Sequence, residues 1–497
     1  MPAHSDALKL ADPSLLLQRA FLVDGESVET KSTFEVLDPA TGDKWADAGE
    51  CTADETKRAI DSAAAAFPAF SKTPARERVK MLLKLDALIR ENKADIAQIL
   101  TLETGKPLAE AEGEVEYGAS FTAWFAGEAE RCVGQTIASG TNPALRYITI
   151  KQPIGPVALL VPWNFPFALA ARKIATALAA GCTSVMKPSP ESPFTGLILG
   201  MLALRAGVPP GVLNVVLASQ KTTPELGETL CTHPAIKKVS FTGSSRVGKL
   251  IAKMASSTLK KLTLELGGNG AFVIYDDCDL DLAVKNLMAT KWRAAGQVCI
   301  TANRIYVQKG ISDQFLEKFS AAMRDQLKLG RGLEKGTTLG PVTVPQTLER
   351  AERVVEDAVK RGAKLVTGGK RPTHLGNGYY FEPTLLVGAP HAAAVAQEEL
   401  FAPICSVAIF ETEEEVTQLV NDTTMGLTNY IASKDINKLW RALENWTAGS
   451  VAWNASNPTA AESPFGGIGE SGYGKEAGLG YGIEEMLITK TAAIMLS

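Results

Sequence analysis

At 497 residues the chain is too long for one compact core, so two large domains, or two plus a small element, are expected. Its 45% hydrophobic and 21% charged residues are ordinary for a globular protein, and 51 Lys and Arg against 55 Asp and Glu, a net charge of -4, argue against non-specific attraction to nucleic acid or to an anionic membrane. Seven scattered cysteines (51, 132, 182, 231, 278, 299 and 405), with no CxxC pair and no histidine at metal-ligand spacing, argue against a disulfide scaffold and against a metal site.

The first twenty residues, MPAHSDALKLADPSLLLQRA, carry two aspartates and no basic region ahead of an apolar segment, unlike a secretory signal or an Arg-rich transit peptide. A cytoplasmic location is the expectation. From Ala53 to about Glu130 apolar residues recur at three- and four-residue intervals, which predicts helices without an intervening strand. Ala144 to Lys151 (ALRYITIK) alternates as an exposed strand or ribbon does and is expected to pair with another subunit. The apolar stretch Pro153 to Met186 is broken by Pro156, Pro162, Pro166, Arg172 and Lys173, so it is read as core and not as a membrane span.

Strand-like runs then alternate with helix-like ones: GPVALLV from 155, TSVMK from 183, VLNVVL from 212, KKVSFT from 237 and LTLEL from 262. That rhythm predicts an α/β fold with a parallel, doubly wound sheet and a nucleotide site at the carboxyl ends of its strands. A second α/β series begins near Gly270, with AFVIY, a helix from about Leu280 to Ala295, the strand ANRIYVQ, and helices at Ser312 to Leu327 and Thr347 to Arg361. The Gly-rich stretch Gly466 to Gly482 reads as a loop wrapping a site, and EEMLITKTA near the C-terminus as a partner for Ala144 to Lys151 in an oligomer.

Five places carry residues suited to chemistry. Cys299 follows a predicted helix, and Gly296 and Gln297 break that helix where backbone N–H groups can face an oxyanion. Glu265, at a strand end before Gly267 and Gly268, is either solvated or employed as a base, since an unpaired carboxylate between leucines is costly to bury. Asn164 lies on a turn set by Pro162 and Pro166, where a rigid amide can donate to an oxyanion. The segment FTGSSRVGKL places Gly243, Ser244 and Gly248 at a strand-to-helix turn suited to phosphate. It is also a near P-loop, but Leu250 stands where a magnesium-binding hydroxyl is needed, which weakens an ATP-dependent alternative. Lys187 ends the neighbouring strand, where an ammonium can reach a ribose or its phosphate.

Together VPWNFP, KPSPESP, FTGSSRVG, LELGGNG, GQVC, EELFAP and SPFGG, in that order and spanning most of the chain, resemble the aldehyde dehydrogenase superfamily. The resemblance implies a Rossmann-type nucleotide-binding domain (1–135 and 153–266), an α/β catalytic domain (267–478) and a small β oligomerisation ribbon (136–152 and 479–497). It implies Cys299 as nucleophile, Glu265 as general base, and Asn164 with the Cys299 backbone N–H as oxyanion donors. Pro162, Trp163, Lys187, Gly243, Ser244, Gly248, Gly267, Glu399 and Phe401 would hold NADP or NAD, in a homodimer or homotetramer. An inactive, structural member of the fold is disfavoured because all three catalytic positions are intact.

Arg293, six residues before the nucleophile, and Arg172, eight after Asn164, match the succinate-semialdehyde dehydrogenase branch, in which both clamp the substrate's distal carboxylate. Thr459 aligns with a substrate-contacting serine, and Phe465 falls in the same region. A small carboxylated aldehyde is therefore the expected substrate, succinate semialdehyde ahead of glutarate semialdehyde. Thr301 stands where the branch often has a second cysteine, so no disulfide switch is expected. Pro190 replaces a glutamate found in strictly NAD-using relatives, which removes a repulsion toward a 2'-phosphate and leans the coenzyme toward NADP.

Overall fold

The computed structural model describes residues 8–496; the leader reading rests in part on residues 1–7, which lie outside this range. Four helices, Ala53–Phe70, Ala75–Glu91, Lys93–Thr104 and Leu108–Ala129, fill the span that periodicity marks as helical. The first begins with a reciprocal cap in which the Thr52 hydroxyl accepts from the Glu55 N–H (3.2 Å) and the Thr52 N–H donates to the Glu55 carboxylate (2.7 Å).

Two hairpins precede these helices and were not foreseen: Ala20–Val23 with Glu26–Glu29, and Thr33–Leu37 with Lys44–Gly49. The strand Glu26–Glu29 (ESVE) is mostly exposed and shows no apolar alternation. The turn between the first pair was nevertheless written in the sequence, because Asp24 and Gly25 both take positive φ (57° and 77°), as a two-residue Asp-Gly hairpin requires.

The first sheet has eight strands. Its centre runs Leu213–Val215, Ser184–Lys187, Val157–Leu160, Lys238–Thr242 and Lys261–Glu265, all parallel. By chain order this is third, second, first, fourth, fifth, so the direction of winding reverses between Val157–Leu160 and Lys238–Thr242. The helix Pro166–Ala180, which follows the first of these strands, is buried along its whole length. A second sheet of seven strands contains Gly270–Ile274 and Ala302–Gln308 at its centre. The first sheet has one large apolar core, and the second has a core on either face.

The expected helix from Leu280 stops at Lys291. A tight turn follows over Arg293–Gly296, in which Ala294 and Ala295 hold left-handed backbone (φ 47° and 53°). The cause is tertiary: the Ala294 N–H donates to the Glu110 carboxylate at 2.8 Å. Beyond the turn, Val298 and Ile300 join the first core while Ala302 joins the second, so Cys299 sits on the seam between them.

The segment Leu145–Pro153 pairs within the chain, antiparallel to Leu487–Met495 over nine residues and to Thr136–Ala138 on its other side. This corrects the expectation that its partner strand comes from another subunit. Gly472–Tyr473, in the Gly-rich stretch, crosses back to pair with Lys261–Glu265 and so belongs to the first sheet. Among the described residues no helix is long and apolar enough to cross a membrane.

Candidate active site

A parallel doubly wound sheet offers a crevice where its winding reverses, because adjacent connections there leave toward opposite faces. The turns that end the two strands at this point, Pro162-Trp163-Asn164 and Gly243-Ser244, line a cavity of about 370 Å³ whose floor is Cys299. Leu266, Gly267, Arg350, Glu399 and Phe401 close its other sides. A second cavity of about 600 Å³ shares Trp163, Val344 and Gln346 with the first, and Pro190, Glu191 and Gln220 line it. Together they form a groove long enough for an extended ligand.

Cys299 is half-buried, and its Sγ lies 3.3 Å from Glu265 Oε1. Burial pushes the thiol well above its usual range, and the neighbouring Glu265 carboxylate pushes it further, against a smaller opposing effect of Arg172. The resting sulfur is thus protonated and needs a base, and the carboxylate it touches can serve. Gly267 and Gly268 permit this approach. A Cβ on Gly268 would stand 2.2 Å from the Cys299 carbonyl oxygen, and one on Gly267 would stand 2.7 Å from Glu399 Oε2.

Two donors converge beside the sulfur. Asn164 gives one amide hydrogen to the Gln297 carbonyl (3.0 Å), which fixes the side chain, while its own backbone carbonyl accepts from buried Lys106 (2.8 Å). The Cys299 N–H has no hydrogen-bond partner among the described residues. This pair of rigid donors suits an oxyanion. Lys106 is itself held by Glu114, whose other oxygen accepts the Phe167 and Ala168 N–H groups (2.9 and 3.2 Å) and so caps the helix that follows Asn164.

The two arginines differ. Arg172 is 1% exposed and already engaged: its Nη2 pairs with both Glu265 and Glu476, and the rings of Phe121 and Phe465 cover it at 5.7 and 5.3 Å. Arg172, expected to clamp a substrate carboxylate together with Arg293, is thus already held by two buried carboxylates. Phe465 consequently supports the guanidinium. Arg293 is half-buried, lies over the Phe165 ring at 5.1 Å, and has no ion pair or hydrogen bond among the described residues; its Nε is a buried donor without a partner. Thr459 donates to Asn457 Oδ1 (2.6 Å) and adjoins the Tyr117 phenol, which also feels both arginines.

The groove fits an anionic, nucleotide-like cofactor on several counts. Ser244 caps the helix Ser245–Ala255, and the Ser245 and Arg246 N–H groups at its start have no partners among the described residues. The Arg350 Nε in the groove wall is also an unpartnered buried donor. Glu399 accepts the Gly268 N–H (2.9 Å), and burial raises its carboxyl to about 7, against the pull of that N–H and of Arg350. Phe401, at a positive φ of 51°, meets Trp163 edge-on at 5.5 Å.

Lys187 ends its strand as predicted but lines neither cavity. It is buried, its Nζ donates to the Pro188 carbonyl (3.3 Å), and burial lowers it to about 8 against the smaller opposing effects of Glu191 and Cys51. Gly248 likewise stands behind the wall, where a Cβ would strike the Leu266 side chain at 2.4 Å, so its service is to helix–sheet packing. Lys249 turns outward to Glu470 (2.6 Å), which leaves the near P-loop without its lysine.

Sequence reasoning missed Tyr117, Phe165, Lys173, Arg350 and Glu476. Only Lys173 carried a signal, as the second of two adjacent cations in an otherwise apolar helix, a pattern that demands buried counter-ions.

The profile of the aldehyde dehydrogenase family matches residues 26–492. The succinate-semialdehyde dehydrogenase (NADP+) 1 of Schizosaccharomyces pombe is 46% identical, over 93% of this chain and 92% of that one. Glutarate-semialdehyde dehydrogenase of Pseudomonas putida is 44% identical, over 98% of this chain and 100% of that one. The crystal structure of Staphylococcus aureus betaine aldehyde dehydrogenase in complex with NAD+ superposes with a TM-score of 0.92 at 35% identity, covering 97% of this chain and 95% of that one. With the winding-reversal groove, the thiol–carboxylate pair and the paired donors in place, these matches make the chain a member of the aldehyde dehydrogenase family and an NAD(P)-dependent aldehyde dehydrogenase.

Proposed function

We propose that this enzyme oxidises succinate semialdehyde to succinate. The observation that carries the reading is Arg293, a guanidinium on the Phe165 ring that feels Glu110 but makes no salt bridge or hydrogen bond among the described residues, and so is available to a substrate carboxylate. Glu265 takes the Cys299 proton, and the sulfur attacks the aldehyde carbon. Asn164 and the Cys299 N–H hold the oxyanion. When bound in the groove lined by Trp163, Ser244, Glu399 and Phe401, the nicotinamide coenzyme would supply the hydride acceptor. Glu265, once it has passed the thiol proton to solvent, deprotonates the water that hydrolyses the thioester on Cys299, releasing the acid.

Glutarate semialdehyde is the second reading. One free guanidinium anchors a carboxylate but sets no chain length, and a relative of comparable similarity bears that name. Either NADP or NAD is used, with NADP favoured by Pro190 at the wall of the second cavity. The three-stranded ribbon leaves Leu487–Met495 and Thr136–Ala138 as free edges, which supports assembly into a homodimer or homotetramer.

The test follows the absorbance of reduced coenzyme with succinate semialdehyde, with hexanal as an uncharged control, and with the Cys299→Ala variant. Fast reduction with the semialdehyde alone, abolished in the variant, is expected. Equal rates with hexanal would remove the carboxylate reading, and an active variant would remove the nucleophile.

A further inference from the structure

Arg172 and Lys173 stand side by side on the buried helix Pro166–Ala180, facing Glu265 and Glu476. Two cations and two carboxylates balance. A substrate carboxylate anchored by Arg293 brings no excess charge, but to reach Arg172 as well it must take the place of one of the two carboxylates this buried guanidinium already holds. The two resident carboxylates are held unequally. Glu476 is tied to Lys173 as well as to Arg172, and accepts from Ser240 (2.9 Å). Apart from Arg172, Glu265 has, among the described residues, only Thr242 (3.2 Å) and the Cys299 thiol (3.3 Å). Glu265 is the one that yields.

We propose that the substrate's own carboxylate displaces Glu265 from Arg172, freeing the base only when a carboxylated aldehyde fills the site. While its other oxygen is tied to Arg172 the Glu265 carboxylate is fixed in place, and once released it is free to close on the Cys299 thiol, now 3.3 Å from Oε1. On exchange, Arg172 keeps one carboxylate partner in place of another, and the proton that leaves Cys299 Sγ goes to Glu265 Oε1, so charge and protons are conserved. Arg172 is then a positioning residue for the base as well as an anchor for the substrate. An uncharged aldehyde that fits the site leaves Glu265 held and reacts slowly. This inference rests on the carboxylated-semialdehyde reading and turns what would be a binding preference into a rate preference.

The experiment divides the substrate into halves. Acetaldehyde is oxidised with and without acetate, with chloride keeping the ionic strength constant. The expected result is a saturable rise in kcat on the order of 10-fold with acetate, absent in Arg172→Gln. Glu476→Gln removes one of the two negative charges on Arg172, so acetate binds there without moving Glu265, and that variant keeps acetate binding but loses the activation. Thermal melting checks that each variant is folded; if Arg172→Gln does not fold, the Glu476→Gln arm decides. Acetate that only competes, or leaves kcat unchanged, while succinate semialdehyde still far exceeds hexanal, overturns the exchange and leaves the substrate reading intact. Loss of that discrimination overturns both.

Discussion

A methyl group on Gly268 would press on the Cys299 carbonyl oxygen at 2.2 Å, in backbone that cannot retreat without moving the sulfur. Gly268→Ala is therefore expected to lower kcat by about 100-fold, the scale of an ångström-sized misplacement, with a loss of roughly 1–3 kcal/mol in stability from overpacking. Steady-state kinetics beside thermal melting checks both. Arg293 should behave differently, since it touches no catalytic group: Arg293→Leu is expected to cut kcat/KM for succinate semialdehyde by about 10- to 100-fold, one charge-assisted hydrogen bond's worth, and to leave hexanal turnover nearly untouched. Glu191 lines the second cavity and is steadied by Ser189 and Gln220, so it brings a negative charge toward a bound coenzyme that Pro190 does not. Glu191→Gln should raise kcat/KM with NADP relative to NAD; an unchanged ratio would place its charge out of reach. Cys299, Glu265 and Asn164 were readable because their neighbours, paired glycines and prolines, betray close backbone approach. The engagement of Arg172 was not, because spacing along a chain says nothing about which anion a buried cation finds.

Among elements, the turn that presents Cys299 departs most from its sequence. KWRAAG is good helix-forming material, yet the helix ends at Lys291 and two alanines adopt left-handed backbone. Tertiary structure overrides propensity here, through the half-buried Glu110 carboxylate, from the helix Leu108–Ala129, that fixes the Ala294 N–H. Glu110→Ala removes that restraint and leaves a buried donor unpaired, at a cost of about 1–3 kcal/mol. The melting temperature should fall and kcat should drop while the dissociation constant for coenzyme, read by fluorescence titration, changes little. Weaker coenzyme binding by the same factor would mean that the whole groove, and not the turn alone, depends on Glu110. The parallel strands were legible for the opposite reason: buried on both faces, they read as continuous apolar runs whatever surrounds them. The hairpin strand ESVE had no such signature, and only its Asp-Gly turn announced it.

Across the whole molecule, two α/β units and a ribbon follow from alternation alone, but the return of the C-terminal stretch to the first sheet does not. Glycines dominate that stretch, and Glu476 within it gives no hint that it will cross to Arg172 and Lys173. Its burial alone would raise the carboxyl, but the two cations outweigh burial and hold it at about 2, against an ordinary 4.5. A carboxylate whose folded-state pKa lies below its unfolded value stabilises the fold above about pH 4.5 and loses that contribution as the pH falls toward 2. The difference corresponds to about 3 kcal/mol at 1.36 kcal/mol per unit, and it fastens the C-terminal segment to the helix that follows Asn164 and to the strand Lys238–Thr242. Urea unfolding at a series of acidic pH values should therefore show the wild type losing stability steeply through this window. Glu476→Gln should be less stable than the wild type at pH 7, because Arg172 and Lys173 then share one carboxylate. The two stability curves should converge as the pH falls. Parallel curves would show that acid sensitivity arises elsewhere and that the C-terminal crossing is held by its backbone pairing with Lys261–Glu265 alone.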